Sequence, residues 1–453
     1  MENRREFLKK VSAGSAAMVI GGAGLGFSAK SYGKVLGAND KVRVGIVGFS
    51  DRFNSSLVPC FLNHAQALNF EFTAVSDIWI RRRDEAKAFI KQKAGWDIEQ
   101  YRNNEEMYAK NAIDAVIIST ADFQHAMHLT EAAKAKKDAY CEKPIGETMD
   151  DVNETLKACK ANNIVVQIGS QRRSTPNYHA ANDYIRSGKF GDIVMVEMCW
   201  NVNQPERWRR VKLCSEIRKE DTDWTRFLNN RPKIDWDPRK YLEFRLFWPY
   251  SSGIPGQWMA HQIDTVHWFT GLAYPRSVVA NGGIYQWKDG RTNADTLTAV
   301  FDYGPDNDKT KGFQVVYTSR FSNSAGGTKE LYYSNAGMLN LDTNEITPTG
   351  GLRESNASKM GLKENLLTPS KLSQVEAVTT DANTGGDKST SMHMRNWMEC
   401  VRAQNVKTNA PIEAGHSHTI ACGMANAAFR TGQRVVYDAK KQQIMAGGKV
   451  FKY

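Results

Sequence analysis

The sequence predicts an α/β protein that opens on a doubly wound parallel sheet and continues into a second domain. Three observations carry this. The chain has 453 residues, about three times a typical ~150-residue domain, so two domains are expected. Short apolar runs alternate with helical periodicity from residue 42 to about residue 167, which is the strand–helix alternation of a parallel sheet. The composition, 41% hydrophobic and 24% charged, is that of a globular chain and excludes coiled-coil, collagenous and wholly disordered classes. No run of ~18 uncharged apolar residues follows the first thirty positions, which excludes a polytopic membrane protein.

The N-terminal segment reads as a separate signal. Asn3-Arg-Arg-Glu-Phe-Leu-Lys9 precedes an uncharged, Gly/Ala-rich stretch from Val11 to Phe27. Twin arginines ahead of a weakly hydrophobic core resemble a twin-arginine (Tat) export signal. Gly14, Gly21, Gly22, Gly24 and Gly26 argue against a soluble helix there. Residues 1–29 are therefore expected to pass the chain to the Tat translocase, with cleavage near Ala29 and a periplasmic or otherwise exported mature protein. Seven widely spaced cysteines without a Cys-x-x-Cys pair argue against a disulfide framework and a zinc site, so no metal is expected. The net charge is +11. Its densest clusters, Arg81-Arg82-Arg83 and Trp208-Arg209-Arg210, lack the interleaved pattern of a single-strand binder, and no nucleic-acid partner is expected.

Residues 38–165 form the expected parallel-sheet domain. Strands are expected at 42–48, 70–77, 112–120, 138–142 and 163–167, with helices at 55–68, 81–93, 125–136 and 148–161. The first strand-to-helix turn of such a domain binds a dinucleotide when it reads Gly-x-Gly-x-x-Gly. Here it reads Gly48-Phe49-Ser50-Asp51-Arg52-Phe53. Gly48 keeps the first glycine. Ser50 offers a hydroxyl to a phosphate, and Phe53 demands a different helix–strand packing. Asp77 ends the second strand, where a carboxylate accepts bonds from the adenosine ribose and repels a 2′-phosphate. That favours NAD, with NADP as the alternative because Arg81–Arg83 follow closely; capping of the next helix is the other reading of Asp77.

Ser119-Thr-Ala-Asp-Phe-Gln-His125 followed by Tyr140-Cys-Glu-Lys-Pro144 resembles the Gfo/Idh/MocA oxidoreductase family. Gln167-Ile-Gly-Ser-Gln-Arg-Arg173, Met259-Ala-His261-Gln-Ile-Asp264 and Ala425-Asn-Ala-Ala-Phe-Arg-Thr-Gly432 resemble it too. The resemblance implies a Rossmann-type first domain and, over 166–453, an α+β substrate and oligomerisation domain on a large, mostly antiparallel sheet. Stretches 195–201, 276–284, 297–303, 312–319 and 329–334 suit its strands, 351–388 reads as a long loop, and helices are expected at 392–403 and 417–431.

The resemblance also implies roles. Thr120, His125, Glu142 and Lys143 join Gly48, Ser50 and Asp77 around the cofactor. Lys143 lies between nicotinamide and substrate, where a desolvated amine moves protons. His261 shares that work, and Asp264, three residues on, is expected either to orient its ring or to serve local packing. Gln257 stands where the family often has an aspartate, so it cannot take a proton. Gln171, Arg172, Gln257 and Trp248 are the candidate substrate contacts. The expected function is an exported NAD(P)-dependent oxidoreductase of a carbohydrate or polyol with a tightly retained cofactor, working as a homodimer or homotetramer. The alternatives are a redox-assisted glycoside hydrolase or lyase of the same fold, and a binding protein that keeps the fold without the chemistry.

Overall fold

In the computed structural model of the protein, residues 41–110, 113–372 and 387–452 are described. The expected export segment 1–29 lies outside them. The parallel sheet holds β1 Val42–Val47, β2 Phe70–Ser76, β3 Glu99–Tyr101, β4 Ala115–Ile118, β5 Asp138–Cys141 and β6 Val166–Ile168, in the order β3-β2-β1-β4-β5-β6. Every pairing in it is parallel. β4 and β5 are buried at every residue, as strands covered on both faces must be. The chain leaves β1 toward one edge and returns beyond it through β4. Ligands bind outside the carboxyl ends of the strands at such a reversal. Gly48, Ser119-Thr120 and Glu142-Lys143 follow β1, β4 and β5 directly and so share that end.

The first helix departs from expectation. It begins at Asp51 rather than Ser55, is π-wound over Phe53–Leu57 and continues as an α-helix over Val58–Leu68. Phe53, in place of the third glycine, is fully buried, with its ring 5.8 Å from that of Phe49 and 5.7 Å from that of Phe72. An aromatic ring here fills space that a glycine would leave to the strand backbone, and the wider helical turn accommodates it. The short strand β3 and the helix Asn104–Ala109 have no counterpart in the expected elements.

The second sheet carries eleven strands among the described residues. They are β7 Ile193–Asn201, β8 Ser277–Gly283, β9 Thr296–Tyr303, β10 Phe313–Arg320, β11 Thr328–Ser334, β12 Gly337–Asn340, β13 Glu345–Thr347, β14 Ser370–Lys371, β15 Val435–Asp438, β16 Gln443–Ala446 and β17 Lys449–Val450. Their order is β14-β13-β12-β11-β7-β10-β9-β8-β15-β16-β17. Only β7 and β10 run parallel; the other pairings are antiparallel.

Two returns of the chain tie the sheets together. The segment after β7 reaches back to the parallel sheet, where Trp79 and Thr222 form an antiparallel bridge and Arg226 pairs with Glu105. Helix Lys388–Ala403, capped by Asp387 through the Thr390 amide, packs Trp397 against Phe70 and Tyr140. The face of the parallel sheet is therefore closed by a helix about 220 residues downstream of β6.

Candidate active site

A cleft of about 1080 Å³ opens at the reversal of the parallel sheet. That exceeds the ~300–1,000 Å³ usual for one small ligand, and suits a dinucleotide with a substrate beside it. Gly48, Ser50, Asp77, Thr120, His125, Glu142, Lys143, Gln171, Arg172, Gln257 and His261 all line it. Asp264 and Trp248 do not.

The turn end is built by backbone geometry. Gly48 has φ +82°, and a Cβ there would lie 2.6 Å from Thr120 Cγ2, so only glycine fits. Ser50 Oγ accepts from the Phe53 amide at 3.2 Å and lies 2.6 Å from Ser119 Oγ. The serine thereby caps the helix start that its position faces. Asp77 takes neither of its expected roles alone: its oxygens accept from the amides of Phe49 and Trp79, both at 2.9 Å, while the side chain still lines the cleft. Burial pushes its carboxyl above the usual range, against those two bonds. Of the three following arginines, only Arg82 lines the cleft, paired with Asp51 at 2.8 Å. Arg81 pairs with Glu85 and Glu216 away from it.

The reacting end brings distant segments together. Lys143 Nζ donates to the carbonyls of Gln257 at 2.7 Å and Gly256 at 3.3 Å. Burial lowers its pKa to about 8, against the pull of Asp122 and Glu142. His261 is held well below its ordinary value by burial and by the charges of Lys143 and Arg172, so its ring is neutral. That ring lies 5.7 Å from the Trp200 ring and makes no hydrogen bond within the described residues. Gln257 is pinned on both sides: Nε2 donates to Asp122, and Oε1 accepts from Arg245 Nε at 2.8 Å. His125 Nδ1 lies 2.7 Å from the Pro144 carbonyl, and burial lowers its pKa. Trp200, Trp208, Trp258, Tyr178 and Phe244 supply aromatic faces around this end.

Of the two roles open to Asp264, packing holds, and the substrate contact expected of Trp248 needs correction. Asp264 does not reach His261. It is 1% exposed, accepts from Arg173 at 2.7 and 3.0 Å, and has His418 Nδ1 at 3.4 Å. Burial alone would raise its pKa, but Arg173 and His418 outweigh that and hold the carboxyl ionised. On helix Ala260–Thr270, a three-residue step turned Asp264 into the core rather than onto the cleft side. Trp248 lies under Arg430, 4.7 Å from ring to guanidinium, and beside Phe451, outside the cleft. The neighbours Arg172 and Arg173 also part company: Arg172 lines the cleft and pairs with Glu330, whereas Arg173 is spent on Asp264.

Several functional residues escaped the sequence. Asp122 stands inside the Ser119–His125 motif, yet its support of Gln257 and Ser251 depends on a loop 130 residues away. Arg52 lies in the altered turn and pairs with Glu142 at 3.2 Å across the sheet. Ser389 and Thr390 arrive from the late helix. Only Asp122 and Arg52 had a local signal, a charged residue within a recognisable turn.

This lining fits a nicotinamide dinucleotide. Thr120 Oγ1 and Ser389 Oγ are buried in the cleft without a hydrogen-bond partner among the described residues, and the helix start presents its first-turn amides at the Gly48 turn. A parallel-sheet domain whose cleft carries these groups is thus joined to an antiparallel-sheet domain. Residues 42–170 match the profile of the Gfo/Idh/MocA oxidoreductase family, described as an NAD-binding Rossmann fold, and the N-terminal domain is of that family's type.

Relatives include the levoglucosan dehydrogenase of Pseudarthrobacter phenanthrenivorans, 27% identical over 240 residues (53% of this chain, 54% of that protein). The inositol 2-dehydrogenase of Rubrobacter xylanophilus is 25% identical over 165 residues (35% and 44%). An uncharacterised oxidoreductase of Bacillus subtilis is 34% identical over 120 residues (26% and 35%). The matched segments thus span between about a third and about half of these relatives. Among solved structures, the WlbA dehydrogenase of Bordetella pertussis in complex with NADH and UDP-GlcNAcA superposes with a TM-score of 0.61 at 15% identity, covering 88% of this chain and 99% of that one. Levoglucosan dehydrogenase with NADH and levoglucosan gives 0.60 at 14%, covering 90% and 100%. These likenesses show that both domains share the fold.

Proposed function

We propose that the protein is an NAD-dependent oxidoreductase that interconverts a carbinol and a carbonyl on a carbohydrate or polyol. The observation that carries this reading is Lys143, a half-buried lysine held by two carbonyls with its pKa lowered to about 8, facing a cleft whose other end is built for a dinucleotide. NAD, when bound, supplies the hydride acceptor. In the oxidising direction the hydride leaves the carbinol carbon, Lys143 takes the hydroxyl proton, and the C=O bond forms. The carbonyls of Gly256 and Gln257 aim Nζ, and Gln257, which cannot accept a proton, keeps this acid–base work on the lysine. His261, neutral and open to the cleft, orients a neighbouring hydroxyl and offers a second proton relay. The aromatic faces suit the apolar face of a sugar ring.

The same reading takes the cofactor as tightly retained and, on the twin-arginine pattern of residues 3–9, the mature chain as exported. Attaching residues 1–40 to a reporter tests export: secretion that stops when Arg4 and Arg5 become lysines supports it, and retention of the wild-type fusion in the cytoplasm contradicts it. The catalytic reading is tested by following NADH formation across a panel of sugars and polyols. Turnover with at least one, abolished by Lys143→Ala, is the expected result; turnover that survives in Lys143→Ala overturns it.

A further inference from the structure

Arg245 lies beside the proton-handling group and carries a charge that the described chain leaves without a carboxylate. Its Nε donates to Gln257 Oε1 at 2.8 Å, while its two terminal nitrogens have no hydrogen-bond or ion-pair partner among the described residues. Five other cleft-lining arginines are ion-paired: Arg52 with Glu142, Arg82 and Arg210 with Asp51, Arg172 with Glu330, and Arg226 with Glu105. Around Lys143 and Arg245 the buried acids are Asp122 and Glu142, and Glu142 is taken by Arg52; that leaves Asp122. Its Oδ2 already accepts from Ser251 at 2.6 Å and from Gln257, whose amide stands between Asp122 and Arg245. A guanidinium held in a cleft without a partner carries a desolvation cost that a planar, bidentate anion relieves. Burial lowers its pKa, against the pull of Asp122, Asp51 and Glu142.

The position of this charge selects among anions. Gln257 holds Arg245 by its side chain and Lys143 by its carbonyl, at 2.7 Å, so the open guanidinium belongs to the reacting end. Arg52 and Arg82 stand nearer the Gly48 turn, where the diphosphate of a dinucleotide would lie.

We propose that the substrate is an acid sugar, whose carboxylate is received by the terminal nitrogens of Arg245 while its reacting hydroxyl meets Lys143. This rests on the oxidoreductase reading above and narrows its substrate class.

The test uses the full chain saturated with NADH, with tryptophan fluorescence as the binding signal, since Trp200, Trp208 and Trp258 line the cleft. The probes are matched neutral and acid sugars: D-glucose and D-glucuronate, D-galactose and D-galacturonate, D-mannose and D-mannuronate. A charge-assisted bidentate contact should favour the acid by about tenfold or more in at least one pair. Arg245→Gln should abolish that preference and leave NADH affinity unchanged. Gln257→Glu should do the same from the other side, by placing a carboxylate on Arg245 in competition with the ligand. The inference is overturned if no acid is preferred to its neutral partner, including the case in which nothing in the panel binds, or if the preference survives in Arg245→Gln. It is also overturned if Arg245→Gln weakens NADH instead, which assigns the guanidinium to the cofactor diphosphate. NADH binding by the wild type, measured in the same titrations, separates failure of this inference from failure of the oxidoreductase reading.

Discussion

The two ends of the cleft are built by different rules. The turn end is local: β1, the Gly48–Phe53 turn and the end of β2 lie within 36 residues, and its key device is a backbone conformation, Gly48 at φ +82° against Thr120. The reacting end is assembled from β5, the segment 244–261 and the Asp122 loop, and its devices are side-chain charges in a buried setting. The turn end tolerates a changed fingerprint because packing absorbs the change: Phe53 fills an aromatic cluster and Ser50 caps the helix. The reacting end has less slack, because Lys143 and Gln257 are each held by two specific neighbours. Substitutions at the turn end should therefore act on cofactor affinity, and those at the reacting end on the chemical step.

The largest effect is expected at Lys143. Lys143→Ala should lower kcat by about 10²–10⁴-fold, the usual worth of a positioned acid–base group, with NADH affinity and thermal unfolding unchanged; steady-state kinetics on the cofactor-loaded protein check this. Asp264→Asn probes the pair that turned away from the cleft. It should cost about 3–5 kcal/mol of stability by stranding the buried Arg173, while NADH affinity stays that of the wild type. Thermal or denaturant unfolding measures it, and an unchanged unfolding midpoint would return Asp264 to the list of functional candidates. Gly48→Val puts a branched side chain where a Cβ already meets Thr120, and should weaken NADH by at least about tenfold in a calorimetric titration.

A fourth expectation concerns pH. Burial lowers the Lys143 pKa to about 8, so the neutral amine that accepts the proton is in the minority at pH 7 and dominant above about pH 8. In the oxidising direction kcat should rise about tenfold per unit on the acid side of that value and level off beyond it. In the reducing direction the profile should invert, because the ammonium form is then the donor. The smallest effect is expected at Trp248, which packs on Arg430 and Phe451 outside the cleft: Trp248→Ala should change kcat/KM by less than about twofold.

The same division explains what could be read from the sequence. The β1–β2 and β4–β5 segments, the Gly48 turn and the Glu142-Lys143 pair announce themselves because their signals, apolar runs and turn residues, are short-range. Arg172 and Arg173 show where that ends. They are identical in type and adjacent in sequence, and only the placement of Glu330 and Asp264 on distant elements decides which one faces the cleft. The two readings of Asp264 stay open in the sequence for a related reason: helical spacing puts it near the face of His261, but the buried Arg173 and His418 on other elements draw it to the core. Arg245 and Gln257 are twelve residues apart, and nothing in their spacing signals the bond between them.

The most direct test of the central claim, that the cleft holds a nicotinamide dinucleotide with Lys143 at its reacting end, is an NADH titration of the purified protein alongside Lys143→Ala and Gly48→Val, preceded by mass-spectrometric identification of any nucleotide that copurifies. One NAD(H) bound per chain, retained in Lys143→Ala and lost in Gly48→Val, is the predicted result. A wild-type chain that carries no nucleotide and binds none when it is added would contradict the account.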